Sequence, residues 1–109
     1  KFFGLLGKFI NRKEKGMKRS MARGHMINKI NRLIPEANAV PREDFDGHSD
    51  RGIWLRGSES YHEDARIFNY WAEGADMLRL HPKLAKILEK GNWYDEPYDA
   101  GTLMLWPDY

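Results

Sequence analysis

The charged residues of this chain are divided unequally along its length, and this division predicts which part forms the globular body. Residues 1–34 hold ten Lys or Arg and one acidic residue, a net charge of +9. Residues 35–109 carry a net charge of −7, so the overall +2 conceals two regions of opposite sign. Residues 35–52 between them are rich in Pro, Asp and Gly, which is typical of a loop. We therefore predict a basic amphipathic helical segment over 1–34, a linker loop over 35–52 and a compact acidic α+β body over 53–109.

The length and composition fit one small domain with a hydrophobic core. The chain has 109 residues, of which 41% are hydrophobic, enough to offset the entropy lost on folding. It has no cysteine, which excludes disulfides and thiolate metal sites and favours a reducing, cytoplasmic location. The opening apolar stretch is short, contains Lys8 and lacks a cleavage site, and no stretch approaches the roughly 20 apolar residues of a membrane span. We expect a protein that is neither secreted nor membrane-spanning.

Two of the predicted helices depend on residue spacing. Residues 17–33 place apolar side chains near i, i+3 and i+4, and Pro35 ends the pattern because proline disfavours a helical conformation in the residue before it. Ser60 and Glu63 have the spacing of a capping box, in which each side chain bonds the other residue's backbone amide. The capping box predicts a main helix that runs to about Leu80.

The remaining elements are predicted from proline, glycine and short apolar runs. Pro82 suits a first helical position and Gly91 a left-handed stop, so residues 82–91 should form a short helix. Ile53–Leu55 and residues 102–106 are expected to be strands, and 92–101 a turn-rich aromatic loop. Antiparallel pairing of the two strands would place the helices on one face of the sheet. The predicted fold class is α+β, with two to four helices packed on a short antiparallel sheet.

The densest group of candidate metal ligands is the sequence DFDGHSD at residues 44–50. Its alternating acids resemble the start of a calcium loop, but the sixth and twelfth positions lack the glycine and glutamate of an EF-hand. A solvated turn explains the same residues, and we predict no bound metal. A transition-metal site, and with it a small metal-dependent enzyme, stays open as an alternative, formed by Asp46, His48 and His62.

The sequence carries no recognisable catalytic or cofactor signature. Ser58 and Ser60 are close to His62 in the chain, but neighbours along a helix do not face each other as a nucleophile and its base must. Capping accounts for Glu63, and the glycine-containing stretches lack the strand-loop-helix context of phosphate-binding loops. We therefore expect no enzymatic activity, no catalytic residues and no cofactor.

The basic N-terminal segment has several possible uses. Long cationic side chains bind phosphate backbones with little sequence preference, so one alternative function is nucleic-acid association. The amphipathic pattern of the first ten residues would also suit a membrane surface, which we consider less favoured, and the segment could instead contact the acidic body or a second copy of the chain. The residues expected to bind nucleic acid are Arg12, Lys13, Lys15, Lys18, Arg19 and Arg23.

The C-terminal seventeen residues combine aromatic rings with carboxylates. Trp and Tyr bury large rigid surfaces and are typical anchors of protein interfaces, and the carboxylates favour a basic partner. The competing interpretation places Trp93 and Trp106 in the core, covered by the tyrosines. The residues expected to bind a protein partner are Trp93, Tyr94, Asp95, Glu96, Tyr98, Asp99 and Tyr109.

These features together predict a non-enzymatic protein-interaction module of the adaptor or inhibitor type. Its basic segment would bind either a second protein partner or another copy of the chain, and both alternatives stay open. No family motif is present. In general character, a short, cysteine-free chain with divided charge is similar to accessory proteins of bacteriophages and mobile elements, some of which inhibit a partner by occupying its surface.

Overall fold

The structure is a computed structural model and describes residues 19–48, 51–72 and 79–108. The described residues form an α+β fold, as predicted, with three helices and a four-stranded antiparallel sheet. In chain order the elements are α1 (Arg23–Leu33), a 3₁₀ turn (Pro35–Ala37), β1 (Ala39–Pro41), α2 (Glu43–Asp46), β2 (Ile53–Leu55), β3 (Tyr61–His62), β4 (Ala65–Arg66), α3 (Pro82–Gly91), β5 (Trp93–Asp99) and β6 (Thr102–Pro107).

The four-stranded sheet has the order β1-β2-β6-β5, with β1 and β5 at its edges. The predicted pairing of the two apolar runs is confirmed, since Ile53 lies opposite Leu105 and Leu55 opposite Leu103. Residues opposite each other on antiparallel strands point to the same face, so this register sends all four side chains to one side. All four are fully buried there.

The helices α1 and α3 cover that side of the sheet. Their apolar residues occur at helical spacing, which places them on one stripe of each helix. They form a single core with the inward residues of the strands. The helical contributors are Met26 and Ile30 from α1 and Leu84, Ile87 and Leu88 from α3. Residues of the basic N-terminal part thus belong to the same core as residues of the acidic body.

The predicted linker over 35–52 is wrong in its secondary structure, because the segment contains β1 and α2. The Asn31 side chain both accepts from the Ala39 amide at 2.7 Å and donates to the Ala39 carbonyl at 3.0 Å, which ties β1 to α1. Pro41 is tolerated because β1 lies at the sheet edge, where a missing amide breaks no ladder. The low apolar content of the segment concealed this strand.

The predicted helix from Ser60 is also wrong, and its first residues form the β3–β4 hairpin. Glu63 and Asp64 have φ values of 51° and 67°, the left-handed conformation required at both positions of a tight hairpin turn. The Ser60 amide donates to the Gly57 carbonyl at 2.9 Å instead of capping a helix. Residues 73–78 of the predicted helix lie outside the described residues.

Helix α3 is confirmed over 82–91, but its left-handed stop is one residue later than predicted. Asn92 has φ 62°, and its amide donates to the Glu89 carbonyl. Gly91 is buried in the last helical position, where a Cβ would collide with the Met26 side chain. The predicted loop that follows is wrong, because Trp93–Asp99 forms β5 and pairs with β6.

The predicted helix over 17–33 begins later than expected, at Arg23. Residues 19–22 have no regular secondary structure, and the Met21 amide donates to the Gly91 carbonyl at 2.7 Å. Residues 17 and 18 lie outside the described residues. Within the described part of the chain, no helix is both long enough and apolar enough to cross a membrane. The predicted amphipathic pattern of residues 1–10 falls outside that part.

Candidate interaction surface

The side of the sheet that faces away from α1 and α3 carries a group of aromatic rings. Trp54 and Trp106 alternate with the buried residues of β2 and β6 and therefore point to this outer side. Tyr94 pairs with Trp106 and shares its direction. We call this surface the aromatic face and define it by Phe45, Trp54, Tyr94, Tyr98 and Trp106.

The rings of the aromatic face form a layer with its own buried residue. Met104 lies between Trp54 and Glu96 in the register of the sheet and points outward. It is nevertheless only 2% exposed. Because it lies on the other side of the sheet from the main core, the outer side chains themselves exclude water from it. The aromatic face is thus partly packed, which fixes the positions of its rings.

Helix α2 supplies the central ring of this layer. The Phe45 centroid lies 5.1 Å from the centroid of Trp54 and 5.1 Å from that of Tyr98, both in edge-to-face geometry. Each such pair is worth about 0.5 to 1.5 kcal/mol beyond the area it buries. The short helix ends at Gly47, whose φ of 83° is a conformation that glycine adopts without strain.

Two arginines and a carboxylate hold the tryptophan rings. The Arg42 guanidinium lies 5.9 Å from the Trp106 ring, and the Arg56 guanidinium lies 5.6 Å from the Trp54 ring. The Trp106 indole Nε1 donates to Glu96 Oε1 at 2.8 Å. The rings therefore already bind cationic groups of the chain itself through cation–π contacts.

Burial, with smaller contributions from Glu96 and Asp108, raises the pKa of the Tyr94 hydroxyl above its ordinary value of 10.0. The hydroxyl therefore stays protonated at neutral pH, and Tyr94 presents a neutral donor beside the carboxylate of Glu96.

The structure distributes the residues predicted to bind a protein partner over two sides of the sheet. Tyr94, Glu96 and Tyr98 belong to the outer side, and Tyr98 is 58% exposed. Asp99 is exposed at the end of β5. Asp95 lies opposite Leu105 and therefore points to the helix side. Tyr109 lies outside the described residues.

Trp93 is not available as a surface anchor. Its ring is 2% exposed and belongs to the main core. Its indole Nε1 donates to the Met21 carbonyl at 2.7 Å. Trp93 thus connects the segment before α1 to the sheet, which corrects its predicted place at the interface.

Phe45, Trp54 and the two arginines of the aromatic face were missed by the sequence-based prediction. A signal for Trp54 was present, because in Ile53–Leu55 the tryptophan alternates with two apolar residues that the strand buries. For Phe45 the sequence offers less, since DFDG is typical of an exposed turn. Its ring reaches Tyr98 only through the folded chain.

Of the three residues of the alternative metal site, Asp46 and His48 contact each other, whereas His62 contacts a different carboxylate. His48 Nδ1 lies 3.4 Å from Asp46 Oδ2, whereas His62 Nδ1 lies 2.7 Å from Glu36 Oε1. In the described ranges, no group of three or more His, Asp or Glu could hold a metal ion.

His62 instead belongs to a polar network between the β3–β4 hairpin and α3. Its ring is 9% exposed, and Nε2 lies 3.3 Å from Lys83 Nζ. Lys83 also reaches Glu63 Oε2 at 3.3 Å, and His81 Nε2 lies 2.9 Å from the His62 carbonyl. Both ring nitrogens of His62 have a polar partner, Glu36 for Nδ1 and Lys83 for Nε2. The buried imidazole thus connects the β3–β4 hairpin to α3.

The same network affects Glu36. A backbone hydrogen bond of Glu36, followed by its hydrogen bond to His62, lowers the pKa of the Glu36 carboxyl from its ordinary value of 4.5. At neutral pH the carboxylate is therefore charged and accepts from the imidazole.

Of the residues predicted to bind nucleic acid, Arg19 and Arg23 lie in the described part, and Arg12, Lys13, Lys15 and Lys18 lie outside it. Arg19 is exposed. Arg23 pairs with both Glu43 carboxylate oxygens, at 2.7 and 3.1 Å, and donates to the Gly52 carbonyl at 3.1 Å. The pairing lowers the pKa of the Glu43 carboxyl, since its largest cause is the hydrogen bond from Arg23.

No protein-family model, no curated protein and no solved structure matches the chain.

Proposed function

We propose that the chain is a non-enzymatic protein-interaction module that binds a basic partner segment through the aromatic face. The observation that carries this proposal is Tyr98, which is 58% exposed and held in edge-to-face contact with Phe45. A rigid ring that is both exposed and held in place loses little conformational entropy on binding. Such rings are the usual anchors of protein interfaces.

Three exposed carboxylates around the aromatic face outnumber its two arginines, Arg42 and Arg56, and favour a cationic partner. Asp44 on α2 and Glu96 and Asp99 on β5 are all exposed. The arginines that already lie over Trp54 and Trp106 exemplify the contact that a partner's Lys or Arg would make with Tyr98. Complementary charge at the rim gives specificity and a fast association rate.

The binding mode we propose uses the side chains of the face and not the free edge of β5. An extended peptide could add to an edge strand through backbone hydrogen bonds. Pro97 lacks an amide, however, and the register of β5 shifts between Pro97 and Asp99. Both features interrupt a continuous backbone ladder, as edge strands commonly do to prevent such addition.

The test is a comparison of two tyrosines with nearly equal exposure. Tyr98 is 58% exposed on the aromatic face, and Tyr61 is 56% exposed on the β3–β4 hairpin. The full chain is applied to an array of short peptides whose Lys and Arg content varies systematically. We expect retention of Lys- and Arg-rich peptides, with affinity reduced at least about tenfold by Tyr98→Ala.

Tyr61→Ala is the matched control and should leave the retained peptides unchanged. Retention that does not depend on Lys and Arg content would contradict a basic partner. Equal loss of affinity in Tyr98→Ala and Tyr61→Ala would contradict the assignment of the aromatic face.

A further inference from the structure

Two cavities lined by basic residues meet at the segment that precedes α1. The first has a volume of about 320 Å³ and is lined in part by Arg19, Arg23 and Arg51. The second has a volume of about 340 Å³ and is lined by Met21, His25, Asn28, Lys29 and Arg32. Met21 also lines the first cavity, so the two are adjacent. We call the pair the cationic track.

The backbone at the junction of the track is anchored to the sheet and to α3. The Met21 amide donates to the Gly91 carbonyl at 2.7 Å, and the Met21 carbonyl accepts from Trp93 Nε1 at 2.7 Å. The Ser20 hydroxyl donates to the Asn92 carbonyl at 2.6 Å. The cationic side chains on either side therefore extend from a fixed backbone, so that binding an anion does not require this segment to become ordered.

The lining residues of both cavities include five cations and no carboxylate in the part of the chain that the structure describes. Arg23 is balanced by Glu43. The other four, which are Arg19, Lys29, Arg32 and Arg51, form no salt bridge within residues 19–48, 51–72 and 79–108. Apart from Arg23, the cations of the track are thus a local concentration of positive charge that no described acidic residue offsets through a salt bridge.

We propose that the cationic track binds the phosphodiester backbone of a nucleic acid. A single phosphate ion would need only one of the two cavities. Adjacent cavities, one at the start of α1 and one along it, suit a row of phosphate groups. An added Cβ on Gly24, near the start of α1, would have no atom of the described residues within 4 Å, so the helix surface at this position is accessible to a nucleic-acid strand in that part of the chain. This site goes beyond the proposed function. It shares no residue with the aromatic face, although Trp93 and Pro107 of its lining belong to β5 and β6.

The cationic track differs from the nucleic-acid site predicted from the sequence. Of the residues predicted from the sequence, Arg19 and Arg23 line the track, and Arg23 is held by Glu43. Lys29, Arg32 and Arg51 are new to the site, and Arg51 comes from outside the basic N-terminal segment. Because contacts to phosphates carry no sequence information, we expect binding with little sequence preference and a steep dependence on salt.

The test uses the full chain and a fluorescein-labelled oligothymidylate of about 15 nucleotides, with affinity measured by fluorescence anisotropy between about 50 and 200 mM salt. The variant combines Lys29→Gln, Arg32→Gln and Arg51→Gln. Log affinity falls as log salt rises, and each phosphate of a single strand that a variant no longer neutralises makes this negative slope shallower by about 0.7, so we expect the triple variant's slope to be shallower by about 2. At the lowest salt the affinity should fall at least about tenfold.

The matched control removes the same charge elsewhere, with Arg66→Gln, Arg79→Gln and Lys86→Gln, all at exposed positions. Equal effects of the two triple variants would overturn the proposal, because binding would then follow net charge alone. Saturable binding of inorganic phosphate with no increase in affinity for longer oligonucleotides would also overturn it. The three single substitutions, each with an expected slope change of about 0.7, keep the test decisive if the triple variant does not fold.

Discussion

The two sides of the four-stranded sheet use their side chains differently. On the helix side, Ile53, Leu55, Leu103 and Leu105 are fully buried aliphatic residues. On the outer side, aromatic rings cover Met104 while Tyr98 stays more than half exposed. Aliphatic packing stabilises a fold without specifying a ligand, whereas rigid amphipathic rings at a surface are suited to recognition. We infer that the helix side contributes the larger share of stability, and we propose that the outer side is the binding surface.

The largest expected effect is on the helix side. Leu105→Ala should lower the free energy of unfolding by about 2 to 5 kcal/mol, because it removes buried methyl groups and leaves a cavity. Denaturant unfolding measures this change. A loss below about 1 kcal/mol would mean that the strand is less tightly packed than its complete burial indicates.

A smaller effect is expected in the outer layer. Phe45→Ala removes two edge-to-face contacts, so we expect a loss of about 1 to 3 kcal/mol in the free energy of unfolding. The same denaturant titration, run beside Leu105→Ala, provides the comparison. If Phe45→Ala were the more destabilising of the two, the outer layer would be the principal core and the division between the two sides would fail.

A substitution in helix α1 tests whether the basic part of the chain unfolds together with the sheet. Gly24→Ala adds a methyl group within the first turn that meets no atom of the described residues within 4 Å. Helix propensity should then raise the free energy of unfolding by about 0.5 to 1 kcal/mol. Thermal unfolding followed by circular dichroism detects the shift. An unchanged midpoint would indicate that α1 unfolds separately from the sheet.

The smallest effect is expected from pH. The pKa of the Glu36 carboxyl is lowered in the folded state, so its contribution to stability is present above the ordinary value of 4.5 and is lost as pH falls through the folded-state pKa. Glu36→Gln should therefore destabilise the protein at neutral pH, and the difference from the wild type should shrink below pH 4.5. A difference that grows on acidification would contradict the assigned role of the hydrogen bond between Glu36 and His62.

The central pairing of the sheet could be predicted because β2 and β6 are short apolar runs bounded by glycine or proline. Both edge strands were missed for a physical reason. Asp, Glu and Pro are depleted in strands, and β5 contains all three in WYDEPYD. Its pairing with β6 depends on neighbours that lie elsewhere in the chain.

The failure at Ser60 has a different cause. Ser-Tyr-His-Glu satisfies the capping-box pattern, and local spacing alone cannot distinguish a helix start from a hairpin. In the folded chain the His62 ring bonds Glu36, a residue 26 positions earlier. We infer that such contacts between distant residues favour the hairpin over a helix. Contacts between distant residues also explain why the aromatic face was predicted only in part. Tyr94, Glu96 and Tyr98 were found from composition, whereas Phe45 reaches Tyr98 only in the folded chain.

The most direct test of the account uses the indole signals of the four tryptophans in a ¹H–¹⁵N NMR spectrum of the full chain, during titration with an Arg-rich peptide. Trp54 and Trp106 lie on the aromatic face, Trp93 is in the core, and Trp71 is 71% exposed and belongs to no strand of the four-stranded sheet. We predict that the signals of Trp54 and Trp106 shift while those of Trp71 and Trp93 stay in place. A shift of Trp71 without Trp54 and Trp106 would contradict the aromatic face as the binding surface.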